Sequence, residues 1–145
     1  MKIRDALKTR ELKYRVVVTV GPNDLVSTAI GKLTEYDRGA LCVCDDQGNL
    51  VGIITERDIL RKCFTGHGEF VNKEIVDAMT AKVVIATPED DVDYAINVMK
   101  KERIRHIPVV DGQKILGMIS MRDLLGLQYE ETKAEIRYAY MVRRR

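Results

Sequence analysis

The chain is built from one unit that occurs twice, and this duplication constrains its fold more than any other feature. Residues 52–58 are matched by residues 117–123, in which a glycine, an isoleucine, a hydroxyl side chain, an arginine and an aspartate recur in the same order. Four apolar residues recur 66 positions apart, so that Val26, Ala29, Ile30 and Leu33 are matched by Val92, Ala95, Ile96 and Met99. A period of this length indicates a repeated structural unit, and both halves should therefore adopt the same fold.

Each copy has the pattern of a helix flanked by strands. The recurring apolar residues are spaced i, i+3, i+4 and i+7, which places them on one face of a helix. Thr87 and Pro88 suit the N-cap and the first helical position of the second of these helices, and Pro22 opens the first. Short β-rich segments flank the helices, at 16–20, 41–44 and 50–54 in the first copy and at 83–85, 107–110 and 115–119 in the second. Turn residues between the last two segments predict a β-hairpin, followed by a helix after Thr55 and after Ser120.

Each copy is therefore predicted to fold as strand–helix–strand–strand–helix, an α/β (α+β) unit. Neither copy has enough strands to cover its own sheet, so the two copies should pack together with pseudo-twofold symmetry. We expect the last helix to begin near Leu124 and to run through residues 129–141. The predicted boundaries are 1–65 for the first domain, 66–72 for a linker, 73–126 for the second domain, and 127–145 for a C-terminal helix and basic tail.

Composition and charge argue against several classes of protein. The net charge of +2 comes from mixed charges and gives no reason to expect nucleic-acid binding, although the locally basic ends keep that alternative open. No apolar run is long enough to span a bilayer, and the first fifteen residues do not have the pattern of a signal peptide. We therefore expect a cytoplasmic protein without a membrane partner, or one of an organellar matrix if a targeting segment has been removed.

Three cysteines, an odd number without a disulfide-like framework, predict a reducing compartment. Cys42 and Cys44 stand two residues apart in an apolar run, so both should point to the same face of a strand. Buried thiols explain this pattern best, and redox or metal chemistry is the alternative. With two histidines in the chain, we predict no metal site.

The clearest motif shared by both copies is a hydroxyl side chain followed three residues later by an aspartate. It occurs as Thr55 with Asp58 and as Ser120 with Asp123. A structural interpretation is a capping box, in which the two residues stabilise a helix start. A functional interpretation is a ligand site, because hydroxyl, backbone N–H groups and helix dipole attract phosphate, and the carboxylate can accept ribose hydroxyls.

A second motif is present in the second copy alone. Arg105 and His106 precede a strand there, at the positions that Gly39 and Ala40 occupy in the first copy. A basic pair at a strand entry can bind phosphate, and the alternative is an exposed pair without a ligand.

The duplicated unit, the segment 104–110 and the two segments that end in aspartate resemble the cystathionine β-synthase (CBS) domain family. Two such domains in tandem form a Bateman module, and the resemblance covers roughly residues 3–125. It implies two clefts that bind adenosine ligands. For the first cleft it implies Gly21, Arg38, Gly39, Ala40, Thr55, Arg57 and Asp58. For the second cleft it implies Thr87, Ile104, Arg105, His106, Pro108, Ser120, Arg122 and Asp123.

The resemblance also implies roles for these residues. The two aspartates would hold ribose hydroxyls, and Thr55 and Ser120 would contact the sugar or the α-phosphate. Adenine would lie beside Thr87 and Ile104, near Pro108, while the arginines and His106 would reach phosphate. The copies differ, since Gly21 replaces Thr87, Cys42 replaces Pro108, and Gly39 could leave room for adenine. We therefore expect unequal sites, of which the second binds anions better and loses more affinity when its aspartate is removed.

These features predict a regulatory, non-catalytic protein that senses AMP, ADP or ATP and passes the ligand state to a partner protein. S-adenosylmethionine or NAD would be alternative ligands, and no cofactor is required. The resemblance also implies a homodimer. The last helix supports this expectation, because it carries apolar residues that need cover, namely Leu124, Leu127, Ile136 and Tyr140. The alternatives are a ligand-independent interaction or redox-partner protein, and a nucleic-acid-binding protein that uses the basic termini.

Overall fold

The computed structural model of the chain describes residues 1–65 and 69–128. The short helix α1 (Ile3–Leu7) is followed by β1 (Thr19–Val20), α2 (Val26–Glu35), β2 (Ala40–Cys44), β3 (Leu50–Thr55) and α3 (Glu56–Thr65). Two 3-10 turns (Glu69–Asn72 and Ile75–Asp77) lead to α4 (Val92–Glu102), β4 (His106–Asp111), β5 (Lys114–Ser120) and α5 (Met121–Gln128). The α+β class and the duplication that the sequence predicts are confirmed.

The first strand of each copy is shorter than predicted. In the first copy β1 runs parallel to β2, and β2 is antiparallel to β3. Of the predicted strand 16–20, only Thr19–Val20 pairs with β2, because the residues ahead of it line a cleft between the copies. In the second copy the predicted strand 83–85 is replaced by a single bridge between Ala86 and Val109, beside the β4–β5 hairpin.

The helices α2 and α4 begin later than predicted, because an aspartate closes a turn ahead of each. The N–H of Gly21 donates to Asp24 Oδ2 at 2.7 Å, and the N–H of Thr87 donates to Asp90 Oδ2 at 2.8 Å. Aspartate side chains compete with the helix for backbone donors in this way and favour turns. The prediction that Thr87 is an N-cap is therefore wrong.

The helices α3 and α5 begin directly after Thr55 and Ser120, as predicted. Of the two starts predicted for α5, the one after Ser120 is confirmed and the one near Leu124 is too late. The helix begins at Met121, because Ser120 and Asp123 cap it at this point. The predicted continuation of this helix through residues 129–141 lies outside the described residues.

The segments that lead into the two copies are exchanged. Ile3 and Ala6 of α1 precede the first copy but are fully buried in the core of the second, and the N–H of Ile3 donates to the carbonyl of Asp90 at 2.9 Å. Reciprocally, Ile75 precedes the second copy but is buried in the core of the first, and its N–H donates to the carbonyl of Asp24 at 2.8 Å. Each core is thus completed by residues that precede the other copy, so the two copies interlock.

The second core also contains residues that we expected at a dimer interface. Leu124 is fully buried in it, and Leu127 packs against it. Both residues therefore stabilise the monomer, because the face of α5 that carries them packs against α4 and the β4–β5 hairpin. Ile136 and Tyr140 lie outside the described residues.

Candidate functional site

A cleft of about 1390 Å³ lies between the two copies and brings most of the predicted site residues together. Twelve of the fifteen line it, namely Arg38, Gly39, Ala40, Thr55, Arg57 and Asp58 with Ile104, Arg105, His106, Ser120, Arg122 and Asp123. Gly21 instead lines a separate cavity of about 850 Å³. Thr87 is exposed, and Pro108 is fully buried in β4. The two predicted clefts are thus parts of one continuous space.

Both hydroxyl–aspartate motifs form capping boxes. In the first copy, the Asp58 N–H donates to Thr55 Oγ1 at 3.1 Å, and the Thr55 N–H donates to Asp58 Oδ2 at 3.0 Å. In the second, the Asp123 N–H donates to Ser120 Oγ at 3.0 Å, and the Ser120 N–H donates to Asp123 Oδ2 at 2.9 Å. The structural interpretation is therefore confirmed, and the capping bonds fix both carboxylates in the lining of the cleft.

The two aspartates differ in their remaining partners. Arg15 Nη1 donates to Asp123 Oδ2 at 2.7 Å, and Arg15 Nη2 donates to Asp123 Oδ1 at 3.0 Å, so both oxygens are engaged. Among the described residues, Asp58 Oδ1 has only a contact of 3.5 Å from Thr80 Oγ1. Asp58 therefore offers an oxygen to a ligand, whereas Asp123 is held in a bidentate ion pair.

The pair between Arg15 and Asp123 is partly shielded from solvent, more at the carboxylate than at the guanidinium. The Asp123 side chain is 11% exposed and that of Arg15 is 31% exposed. Burial acts to raise the pKa of Asp123, but the hydrogen bonds from Arg15 and from the Ser120 N–H outweigh burial, so the net effect lowers that pKa. Asp123 is therefore ionised at neutral pH.

Arg15 is a site residue that the sequence analysis missed. The difference between the copies could have revealed it, because the repeat places Ala81 at the position equivalent to Arg15. Nearby, Arg38 Nη2 donates to the carbonyl of Val16 at 3.2 Å. Burial and the like charge of Arg15 lower the pKa of Arg38. Arg15 and Arg38 thus place two guanidinium groups near the carboxylate of Asp123 in this part of the cleft.

His106 crosses the cleft and packs against Gly39 of the other copy. A Cβ atom at Gly39 would lie 2.9 Å from His106 Cε1 and 3.0 Å from Nε2, closer than side chains approach without moving. The imidazole therefore occupies space at Gly39 that, from the sequence, could have admitted adenine. Residue 39 is a glycine because any side chain there would collide with His106, which stands in the second copy at the position equivalent to Ala40.

Burial and the neighbouring Arg105 guanidinium lower the pKa of His106, although Asp123 and Glu56 oppose that shift. Because the folded protein binds this proton less readily than the unfolded chain, the free energy of unfolding should fall as pH drops below about 6.5. The loss should not exceed about 1.4 kcal/mol per pH unit for this group. Denaturant titrations between pH 5 and pH 8 would measure it.

His106→Gln should remove this part of the pH dependence, while His67→Gln, which changes the other histidine of the chain, should retain it. If His106→Gln leaves the pH profile below about 6.5 unchanged, the histidine does not titrate as the structure indicates.

The two cysteines of β2 offer little chemistry, whereas Cys63 on α3 is an exposed free thiol. Cys42 and Cys44 are buried on β2, and burial, with a smaller effect of Cys44, raises the pKa of the Cys42 thiol to about 12. A thiol in this environment is protonated at neutral pH and is a poor nucleophile or metal ligand. In residues 1–65 and 69–128, no cluster of three or more histidine, cysteine, aspartate or glutamate residues could hold a metal ion.

Within the described part of the chain, no helix has the length and apolar character to cross a bilayer. Some of the basic residues at the N-terminus form ion pairs with the fold. Lys2 pairs with Asp91 at 3.1 Å, and Arg4 pairs with Glu89 at 2.8 Å, both on the surface. These pairs lessen the free positive charge that a nucleic acid would meet.

Comparison with known proteins gives a consistent result over nearly the whole chain. The sequence profile of the CBS domain matches residues 10–64 and again residues 73–130. The mitochondrial CBS domain-containing protein CBSX3 of Arabidopsis thaliana is 36% identical over 118 residues, which cover 79% of this chain and 57% of that protein. The chain spans less than two thirds of the length of the first curated relatives that it matches.

Solved structures agree with the fold. A putative signal-transduction protein with CBS domains from Burkholderia ambifaria has a TM-score of 0.86 at 34% identity, over 94% of this chain and 100% of that one. The CBS domain pair of protein MJ0100, solved with 5′-methylthioadenosine and S-adenosyl-L-methionine, has a TM-score of 0.77 at 27% identity. This match covers 91% of this chain and 98% of that one.

Proposed function

The chain belongs to the CBS domain family as a tandem pair of domains, and we propose that it binds an adenosine nucleotide between them and passes the ligand state to a partner protein. The observation that carries this proposal is the pair of helix-capping aspartates, Asp58 and Asp123, that line one cleft. Each stands at a helix N-terminus, where backbone donors and the dipole favour phosphate. A carboxylate beside such an N-terminus can accept the hydroxyl groups of a ribose, as an acidic residue does in dinucleotide-binding folds.

The proposed roles follow the geometry of the cleft. Asp58 and Asp123 would accept ribose hydroxyls, and the neighbouring Thr55 and Ser120 would contact the sugar or the first phosphate. The further phosphates would meet cationic side chains that line the same space, namely Arg38, Arg57, Arg105, Arg122 and His106. Ile104 lines the cleft and would flank adenine, while the buried Pro108 supports that wall. Thr87 and Gly21 do not line the cleft and would have at most an indirect role in binding.

The charge of the cleft favours phosphate-bearing ligands, AMP, ADP or ATP, over S-adenosylmethionine, and NAD, which carries a diphosphate, stays an alternative. S-adenosylmethionine carries a positive sulfonium, which the arginines would repel, and the two bound adenosine ligands of the MJ0100 pair lack phosphate. The shared feature is adenosine recognition, and the choice among adenosine ligands would come from the cationic side chains of this chain.

We propose a regulatory role without catalysis. Of the two histidines, only His106 lies within the described residues. Its imidazole, the candidate general base, packs against Gly39 and not against a nucleophile. We also propose a cytoplasmic or organellar-matrix location, since all three cysteines are free thiols and the Arabidopsis relative is described as mitochondrial.

A thermal-shift panel tests the proposal. AMP, ADP, ATP, adenosine, S-adenosylmethionine and NAD would each be added to the full chain, with GMP and CMP as controls for the base. A ligand at 100 times its dissociation constant should raise the free energy of unfolding by about 2.7 kcal/mol. If no adenosine ligand raises the melting temperature at millimolar concentration, the proposed function is wrong.

We further propose that the protein is a homodimer in which α3 is covered by a second copy. Leu60 is 72% exposed and Phe64 is 89% exposed on this helix, and Leu125 on the equivalent helix α5 is 38% exposed. Apolar residues so placed on helices α3 and α5 indicate a protein interface.

Phe64→Glu, alone or with Leu60→Glu, should therefore convert the dimer into a monomer, because a charge would be buried in the interface. Sedimentation velocity at micromolar concentration would measure the change. Ser27→Glu, which places the same acid on an exposed position of α2, should leave the dimer intact. A parent protein that sediments as a monomer would contradict the proposal.

A further inference from the structure

Arg15 occupies the carboxylate of Asp123 and has no equivalent at Asp58. Its two Nη atoms donate to both Asp123 oxygens at 2.7 Å and 3.0 Å. By the same exchange of leading segments, Thr80 stands beside Asp58, at 3.5 Å from Oδ1. A short neutral hydroxyl therefore faces one aspartate, and a guanidinium faces the other.

The backbone holds Arg15 in this position from both sides. Leu12 is anchored in the second core, and its carbonyl accepts the N–H of Arg15 at 3.1 Å. On the other side, the carbonyl of Val16 accepts a hydrogen bond from Arg38 at 3.2 Å. Arg15 thus bridges the copies, since the segment before it packs on the second copy and the segment after it leads into β1 of the first.

A ribose in the second part of the cleft would need the same two oxygens that Arg15 engages. An uncharged ligand such as adenosine offers the displaced guanidinium no anion, so binding would break a bidentate pair without replacing it. A phosphate offers the bidentate partner that suits a guanidinium as well as a carboxylate does. The released Arg15 would also stand near Arg38, and a phosphate between them would relieve that repulsion.

From this exchange, and resting on the proposed function, we infer that Arg15 is the specificity-determining residue of the second site. It selects adenosine ligands that carry phosphate over adenosine and S-adenosylmethionine, by transferring from Asp123 to the ligand phosphate. The first site lacks this exchange and is expected to accept adenosine and AMP with more similar affinities.

Site-resolved ¹H–¹⁵N NMR titrations of the full chain test this inference. The amides of Ser120 and Asp123 report the second site, and those of Thr55 and Asp58 report the first. With AMP and adenosine as probes, the parent should bind AMP at least about tenfold more tightly than adenosine at the second site, as expected for one charge-assisted bidentate contact. The Arg15 Nε–H resonance should shift with AMP.

Arg15→Ala should raise the affinity of the second site for adenosine and lower it for AMP, so that the preference shrinks by about tenfold. Arg15→Lys retains the charge without the bidentate geometry and should give an intermediate preference. Arg10→Ala removes an exposed arginine from the same segment and should change neither affinity. The first site should respond alike in all four proteins.

One contrary result is that Arg15→Ala leaves the ratio of AMP to adenosine affinity at the second site unchanged, while the amides of Thr55 and Asp58 still respond to AMP. This result would overturn the inference about Arg15 but not the proposed function. If the amides of neither site shift with any adenosine ligand in the parent, the proposed function fails as well. Equal binding of adenosine and AMP at the second site of the parent would also overturn the inference.

Discussion

Asp58→Ala should lower the affinity of the first site for AMP by about 100-fold or more. The substitution removes the carboxylate that would accept both ribose hydroxyls, and each charge-assisted hydrogen bond contributes about 1.5–3 kcal/mol. Each 1.4 kcal/mol corresponds to a factor of ten in the dissociation constant. Calorimetric titration of AMP into the parent and the variant would show one class of site lost, while the second site remains.

Asp58→Asn separates the ligand role from the helix cap. The amide oxygen can still accept the Thr55 N–H, which Asp58 Oδ2 accepts at 3.0 Å, but it carries no charge. We therefore expect near-parental stability with an affinity between those of the parent and Asp58→Ala. If Asp58 acts as a cap alone, Asp58→Ala lowers stability by about 1 kcal/mol and leaves the AMP affinity unchanged, which would contradict the assignment.

Gly52→Ala should lower the melting temperature by several degrees, whereas the equivalent Gly117→Ala should change it little. A Cβ at Gly52 would lie 2.5 Å from Met79 Sδ and 3.1 Å from the carbonyl oxygen of Thr80. Met79 packs against the first core and would have to change its side-chain conformation, and the Thr80 backbone is held by its pairing with Ile53. Overpacking of this kind costs about 1–3 kcal/mol, or roughly 3–10 °C for a domain of this size.

Gly117 provides the matched control because it occupies the same position in the second copy. A Cβ there would meet Leu7 Cδ2 at 3.7 Å, an ordinary van der Waals contact. Gly117→Ala should therefore lie within about 0.5 kcal/mol of the parent. Thermal unfolding followed by circular dichroism would compare the two. Equal losses for both variants would mean that the tight approach at Gly52 has no energetic consequence.

Local patterns predicted the parts of the fold that depend on local physics. The i, i+3, i+4, i+7 apolar spacing located α2 and α4, and the turn residues located both hairpins. The capping motifs placed the starts of α3 and α5. The first strand of each copy was predicted to be too long, since the β-branched residues near Val17 and Val84 line the cleft and do not pair with a neighbouring strand. Strand propensity alone cannot distinguish these two environments.

The candidate site was predictable where the two copies share a motif, and less so where distant segments meet. No local signal links Arg15 to Asp123, which lies 108 residues away in the sequence. The contact exists because α1 packs on the second copy and carries the following segment across the cleft. The sequence also favoured the second site on the basis of Arg105 and His106. That ranking remains a prediction for phosphorylated ligands, whereas for adenosine we expect the first site to bind more tightly.

The exchange of the leading segments also sets when the chain can finish folding during its synthesis. α1 is made before the residues that bury it, which extend from Ala86 to Leu124 in the second core. Ribosomes add about 5–20 residues per second, so α1 waits on the order of ten seconds for its partners. The first core likewise stays incomplete until Ile75 and Ala78 have emerged. The nascent chain therefore exposes two unfinished apolar surfaces at once, which is the condition that chaperones relieve.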